Sequence, residues 1–132
     1  MDRIPILVSR CLLGVPCRYH GRTPRGGTPG HAHCRIRALE RTGRYLLVDV
    51  CPEVDAGLPT PRPPTRRVCG RLVCGGEDVT EAFDAGAELA LAAAEGSGAV
   101  KAYLVRGSPA CDKHSGVAAC LLARHGLTIV AV

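Results

Sequence analysis

Four short apolar runs restrict the folds open to this chain of 132 residues. Ile4-Pro-Ile-Leu-Val8, Tyr45-Leu-Leu-Val-Asp-Val50, Val100-Lys-Ala-Tyr-Leu-Val105 and Leu127-Thr-Ile-Val-Ala-Val132 are continuous and β-favouring rather than alternating. That is the pattern of strands buried on both faces, as parallel sheets require. Between them lie helical patterns. The first spans about 31–42, with Ile36 and Leu39 on one face and Gly43 placed to close it. The second begins at Asp78 or Thr80, with Glu81 completing a capping box, and runs to about Glu95. The third starts from Ser115, carries the stripe Val117, Ala118, Leu121 and Leu122, and ends before Gly126.

Strand and helix therefore alternate, which predicts an α/β protein: a mostly parallel sheet covered by helices with right-handed crossovers. The length suits a single domain over 1–132. Two loops interrupt the rhythm, a Gly- and Pro-rich stretch at 14–30 and the stiff Leu58-Pro-Thr-Pro-Arg-Pro-Pro64. Residues 68–73, flanked by Cys69 and Cys74, read as a short hairpin or edge strand, with Gly70 weakening the pattern.

Composition excludes several classes. The apolar runs are far shorter than the roughly 18 to 20 residues that cross a bilayer, and residues 1–10 lack the form of a secretory signal. The expected location is the cytoplasm. Eight cysteines are many for a reducing compartment, where thiols bind metal or do chemistry more often than they form disulfides. With one Phe, three Tyr and no Trp, the chain has no stacking platform for single-stranded nucleic acid. Residues 1–50 hold nine arginines against Asp2, Glu40 and Asp49, a balance that favours an anionic ligand or reflects a solvated face.

Ligands of open α/β sheets bind beyond the carboxyl ends of the strands. There the sequence reads Ser9-Arg10-Cys11, Cys51-Pro52-Glu53 and Ser108-Pro109-Ala110-Cys111. If the strands are neighbours, Cys11, Cys51 and Cys111 converge. Three thiolates suit zinc or an iron-sulfur cluster, and spacing alone does not choose. The compact C-x-x-C-x-x-C run of ferredoxins is absent. The alternative for each cysteine is a small buried hydrophobe.

Five blocks in order carry a resemblance: Val8-Ser-Arg-Cys11-Leu-Leu-Gly-Val-Pro-Cys17-Arg-Tyr-His-Gly21, Val50-Cys51-Pro-Glu53-Val, Gly57-Leu-Pro-Thr-Pro-Arg-Pro-Pro64, Asp78-Val-Thr-Glu-Ala-Phe83 and Ser108-Pro-Ala-Cys111. The chain resembles the TudS-type thiouracil desulfidase (desulfurase) family. That resemblance implies a Rossmann-like three-layer sandwich with a [4Fe-4S] cluster on Cys11, Cys51 and Cys111. It also implies conversion of C=S to C=O in thiolated pyrimidines with release of sulfide. Glu53 is then the expected general base, Ser108 a hydroxyl that orients the water or the base, and Arg18, Tyr19 and Arg22 the contacts to the pyrimidine or an attached phosphate. The substrate is a thiolated base or nucleotide, or thiolated tRNA. Two departures are visible: Arg10 replaces a residue that is commonly small in the family, and the stretch after Cys111 is short.

Two other readings compete. A zinc-binding structural or regulatory protein would draw on His31, His33, Cys34, Cys17, Cys69 or Cys74, although no C-x-x-C pair exists. A basic RNA-binding module would use the Arg-rich half. Roles for Cys17, Cys34, Cys69, Cys74 and Cys120 stay open, as does the oligomeric state.

Overall fold

The computed structural model describes residues 2–24 and 30–132, so part of the expected 14–30 loop, at 25–29, lies outside the described residues. The elements in chain order are β1 (Ile4–Ser9), a 3-10 turn (Arg10–Leu13), α1 (Cys34–Arg41), β2 (Tyr45–Val50), α2 (Pro52–Asp55), β3 (Thr65–Val68), β4 (Arg71–Cys74), β5 (Glu77–Asp78), α3 (Thr80–Ser97), β6 (Lys101–Leu104), α4 (Val117–Arg124) and β7 (Thr128–Ala131). All four expected strands form, and they build one parallel sheet in the order β2-β1-β6-β7. The expected α/β class and three-layer arrangement are what the structure has.

The chain runs outward from β1 to β2, crosses back over β1 to β6, then continues to β7. Right-handed crossovers in opposite directions put α1 on one face and α3 and α4 on the other. Consistent with this, α3 and α4 pack on each other and α1 meets β2. The reversal makes the β1/β6 boundary the switch point, where ligands bind. Ile6, Leu7 and Val8 of β1 are buried on both faces, joined in one apolar cluster by Phe83, Ala87 and Ala90 of α3 and Ala119 and Leu122 of α4. β2 departs from the expectation. As an edge strand, packed against eight-residue α1 and against α3, it leaves Leu46 41% exposed.

Helix ends also differ in instructive ways. α1 starts at Cys34, later than expected, because the His33 ring nitrogen accepts from Arg35 N at 3.2 Å and caps it. Gly43 does close it, in the left-handed conformation (φ 68°). The capping box at α3 does not form: Asp78 pairs with Arg71 and accepts from Thr80 N, while the Thr80 hydroxyl accepts from Leu72 N. Ser115 does not cap α4, since its hydroxyl donates to Asp112. The expected hairpin is β3–β4, extended by β5, and Cys69 and Gly70 form its turn with positive φ.

α2 holds the second strand-end cysteine in place, and α3 seats α2. Gly86 of α3 lies so close to α2 that an added Cβ would sit 2.0 Å from the Pro52 carbonyl oxygen, which is unyielding backbone. Gly96, in the same helix, has nothing within 4 Å of its would-be Cβ. Both Gly→Ala changes gain about 1 kcal/mol of helix propensity, but only Gly86→Ala adds an overlap costing about 1–3 kcal/mol or more. Thermal unfolding should therefore show Gly96→Ala raising the melting temperature and Gly86→Ala lowering it. A stabilised Gly86→Ala would contradict this packing.

Candidate active site: a thiol-lined cavity at the strand ends

A cavity of about 240 Å³ opens at the carboxyl ends of β1, β2 and β6. The three strand ends deliver Cys11, Cys51 and Cys111 to its wall, with Glu53 and Ser108 beside them. Arg18 and Tyr19 line it from the loop after the 3-10 turn, the former half-buried and the latter exposed. Arg22 is exposed, outside this lining, and its N–H donates to the His20 ring. Cys17, whose role the sequence left open, also lines the cavity.

All eight cysteines are free, and the four buried ones are Cys11, Cys17, Cys51 and Cys111. The Cys17 thiol meets those of Cys11 and Cys51. Its contact with Cys11, reinforced by burial, pushes Cys17 up to about 11. Cys51 is raised by the Cys17 thiol and then by burial. Burial pushes Cys111 up to about 12, partly offset by the Ser9 hydroxyl. Cys17, Cys51 and Cys111 are thus held toward the neutral thiol, and a bound metal would supply the positive charge that favours thiolates.

Among the described residues, no three His, Cys, Asp or Glu side chains close around a point as ligands of one ion. Zinc at about 2.3 Å from each sulfur needs thiols about 3.8 Å apart. An iron-sulfur cluster is held by cysteine thiolates, and Cys11, Cys51 and Cys111 all line this cavity. The donor set therefore fits a cluster. The zinc set does not assemble: Cys34 and Cys69 are exposed, the Cys74 thiol donates to Pro63 O at 3.1 Å, and His33 caps α1. Cys120 lies half-buried away from the cavity, 3.9 Å from His114 O.

Glu53 is buried and its carboxylate has two distinct edges. Oε1 faces Arg62, with Nη2 at 3.1 Å and Nε at 3.3 Å. Oε2 faces the Ser108 hydroxyl at 3.5 Å, longer than an ordinary O–H···O bond. Ser108 Oγ already accepts from the N–H groups of Ala110 (3.1 Å) and Cys111 (3.2 Å). With both lone pairs engaged, its hydrogen is left to donate, and Glu53 is the acceptor on that side. Arg10, the family departure, lines the cavity but is bound to Asp49 at 2.6 Å and Asp55 at 2.8 Å, which raise its already high pKa. Asp55 also accepts from Cys51 N at 3.1 Å, so Arg10 fastens the Cys51 turn and does not obstruct the thiols.

Sequence reasoning missed Arg62. Only 2% of its side chain is exposed, and it lies within a block quoted for its prolines. The signal was present, since a lone arginine among prolines and apolar residues must find a carboxylate if it is buried. Thr65, another cavity residue not anticipated, has a buried hydroxyl without a partner among the described residues.

Fold and site together define an α/β protein with a switch-point cavity whose donors are thiols and whose buried acid stands beside them. Residues 6–130 match the 2-thiouracil desulfurase family, and the chain belongs to it. It is 32% identical to the uncharacterized protein YbbK of Bacillus subtilis (strain 168), covering 95% of this chain and 93% of that one. It is also similar to the solved structure of the [4Fe-4S]-dependent thiouracil desulfidase TudS, at 39% identity and a TM-score of 0.82, covering 98% of this chain and 91% of that one.

The loop bearing Ser108 and Cys111 is fastened by Asp112, whose carboxylate accepts from Gly107 N (2.9 Å), His114 N (3.2 Å) and Ser115 N (3.3 Å). These amides, Gly107 foremost, hold Asp112 below its ordinary value. In Asp112→Asn one acceptor becomes a donor facing N–H groups. Amide hydrogen exchange at Gly107 and Ser115 should accelerate at least about tenfold, the effect of a hydrogen bond worth ~1.5 kcal/mol. Unchanged protection would show that Asp112 does not hold the loop.

Proposed function

We propose that this protein is a [4Fe-4S]-dependent desulfidase that replaces the sulfur of a thiolated pyrimidine, thiouracil as base or nucleotide, with oxygen and releases sulfide. The observation that carries the reading is the meeting of Cys11, Cys51 and Cys111 with Glu53 and Ser108 in one cavity of a chain from this family. The cluster would be held by Cys11, Cys51 and Cys111, and its fourth iron, lacking a protein thiolate, supplies a Lewis acid for the thiocarbonyl sulfur.

The rest of the chemistry belongs to the chain. Glu53 takes a proton from water as the water oxygen attacks the carbon bearing sulfur. Ser108, donating to Oε2, fixes the carboxylate edge that faces this water. The proton returns as the C–S bond breaks, so water and thiopyrimidine become oxopyrimidine and hydrogen sulfide. Arg18 and Tyr19 stand at the opening to meet the ring or a ribose phosphate. The cavity of about 240 Å³ must take the cluster as well as the substrate, which is far too little for a folded nucleic acid. A base in tRNA would have to enter flipped from its stack. No described helix is long and apolar enough to cross a membrane, and a reducing cytoplasm suits both free thiols and cluster.

Protein purified and reconstituted without oxygen should contain about four iron and four labile sulfide per chain. The Cys111→Ala variant should lose them. Glu53→Gln should keep the iron while the rate on thiouracil falls by about 10²–10⁴-fold. Zinc alone, or no metal in a correctly folded protein, would refute the proposal; salt-sensitive RNA binding by iron-free protein would favour the RNA-binding alternative.

A further inference from the structure

We infer that Arg62 is the positioning residue for Glu53: by saturating Oε1 it makes Oε2 the one oxygen of the base free to face the reacting water. The inference rests on the desulfidase reading for its catalytic part and on geometry for the rest. A guanidinium has five N–H donors, and here four of them make hydrogen bonds while Nη2 also stands in ion-pair contact with Glu53. Nη1 serves Pro59 O at 2.9 Å and Thr60 Oγ1 at 3.0 Å. Nη2 donates to Cys17 O at 3.2 Å and lies 3.1 Å from Glu53 Oε1 as an ion pair, and Nε donates to the same Oε1 at 3.3 Å. The backbone N–H of Arg62 donates to Tyr19 O at 2.7 Å.

Three consequences follow. The side chain cannot swing, because any rotation would forfeit several bonds within a buried setting. Both guanidinium contacts to Glu53 fall on one oxygen, unlike the usual two-oxygen fork. Oε1 is thereby occupied, and Oε2 keeps only the long Ser108 contact. The carboxylate, buried beside thiols, also gains the countercharge it needs. Through the Cys17 and Tyr19 carbonyls, the same guanidinium and its backbone tie the base to the loop that presents Cys17, Arg18 and Tyr19. A lysine at this place would keep the charge but not the planar fork.

The test has a kinetic and a thermodynamic arm. Arg62→Lys and Arg62→Ala are reconstituted, and iron content, kcat and KM on thiouracil are measured, with guanidinium ion added to the alanine variant. Expected is wild-type iron in the lysine variant with kcat lowered about 10²-fold, the cost of a slight misplacement of a reacting group, and KM changed less than about threefold. Guanidinium should restore part of the alanine variant's kcat. Wild-type kcat in Arg62→Lys, or a loss confined to KM, would overturn the inference.

The second arm needs no turnover. Melting temperatures of cluster-free wild type, Arg62→Met, Glu53→Gln and the double variant form a cycle. Arg62→Met should cost much less in the Glu53→Gln background than in the wild type. Additive shifts would mean that Arg62 does not hold Glu53, and they would overturn the inference whatever the wild type turns over. A wild type without desulfidase activity would instead refute the proposed function, leaving the cycle to decide the pairing.

Discussion

Strand β1 has a parallel neighbour on each side, β2 in register over six residues and β6 over two, and that double pairing sets the rest of the molecule. A strand paired on both sides and covered on both faces must be apolar, which accounts for Ile6, Leu7 and Val8. It must also be the strand from which the chain departs in two directions. The crossovers that leave it toward β2 and return toward β6 lie on opposite faces, so no connection closes over its carboxyl end. The cavity is the gap that topology leaves. Ser9, the last residue of β1, seals its floor by accepting from Val105 N at 3.0 Å, joining β1 to the turn that carries Ser108 and Cys111.

What fills that gap is unfavourable for stability. The buried polar or charged residues among those described are Ser9, Glu53, Arg62 and Ser108, and all four line the cavity. Desolvating a carboxylate and a guanidinium costs several kcal/mol each before their attraction is counted, and an apolar pair of similar volume would commonly do as well or better. Structural need therefore does not account for the cluster of polar groups at one place. Elsewhere the core is assembled from small residues that permit close helix packing, Ala87, Ala90 and Ala94 of α3 with Ala118 and Ala119 of α4. Gly86 continues this logic at α2, where only the absence of a Cβ lets the helix approach the Pro52 carbonyl.

The excess of arginine takes on a different meaning once partners are visible. Arg10 serves Asp49 and Asp55, Arg62 serves Glu53, Arg71 serves Asp78, and Arg35 reaches Ala131 O at 3.0 Å. The Arg10 and Arg35 contacts join segments distant in sequence, whereas Arg62 and Arg71 reach carboxylates nine and seven residues away. Charge counted along residues 1–50 left an anionic ligand and a solvated face open, and Arg10 and Arg35 of that half serve instead as internal fastening. Arg18 lines the cavity.

Legibility followed the range of the interactions. The strands, α3 and α4 could be read because their signals are local: unbroken apolar runs and a stripe at helical spacing. The cysteines, Glu53 and Ser108 could be read because each lies within a few residues of a strand end, and topology supplied the convergence. Helix caps were less legible, since Asp78 and Ser115 each had a competing partner that only the tertiary structure brings near, Arg71 and Asp112. The exposure of β2 was hidden because an apolar run does not reveal whether a strand has one neighbour or two. Arg62 was the deepest omission. It sits nine residues from Glu53 in a stretch with no period, where extended prolines and Thr60 set its position, and the four acceptors of its side chain come from three separate segments. A residue whose contacts are all set by loops leaves no repeat in the sequence; its trace is a charge with no evident reason to be there.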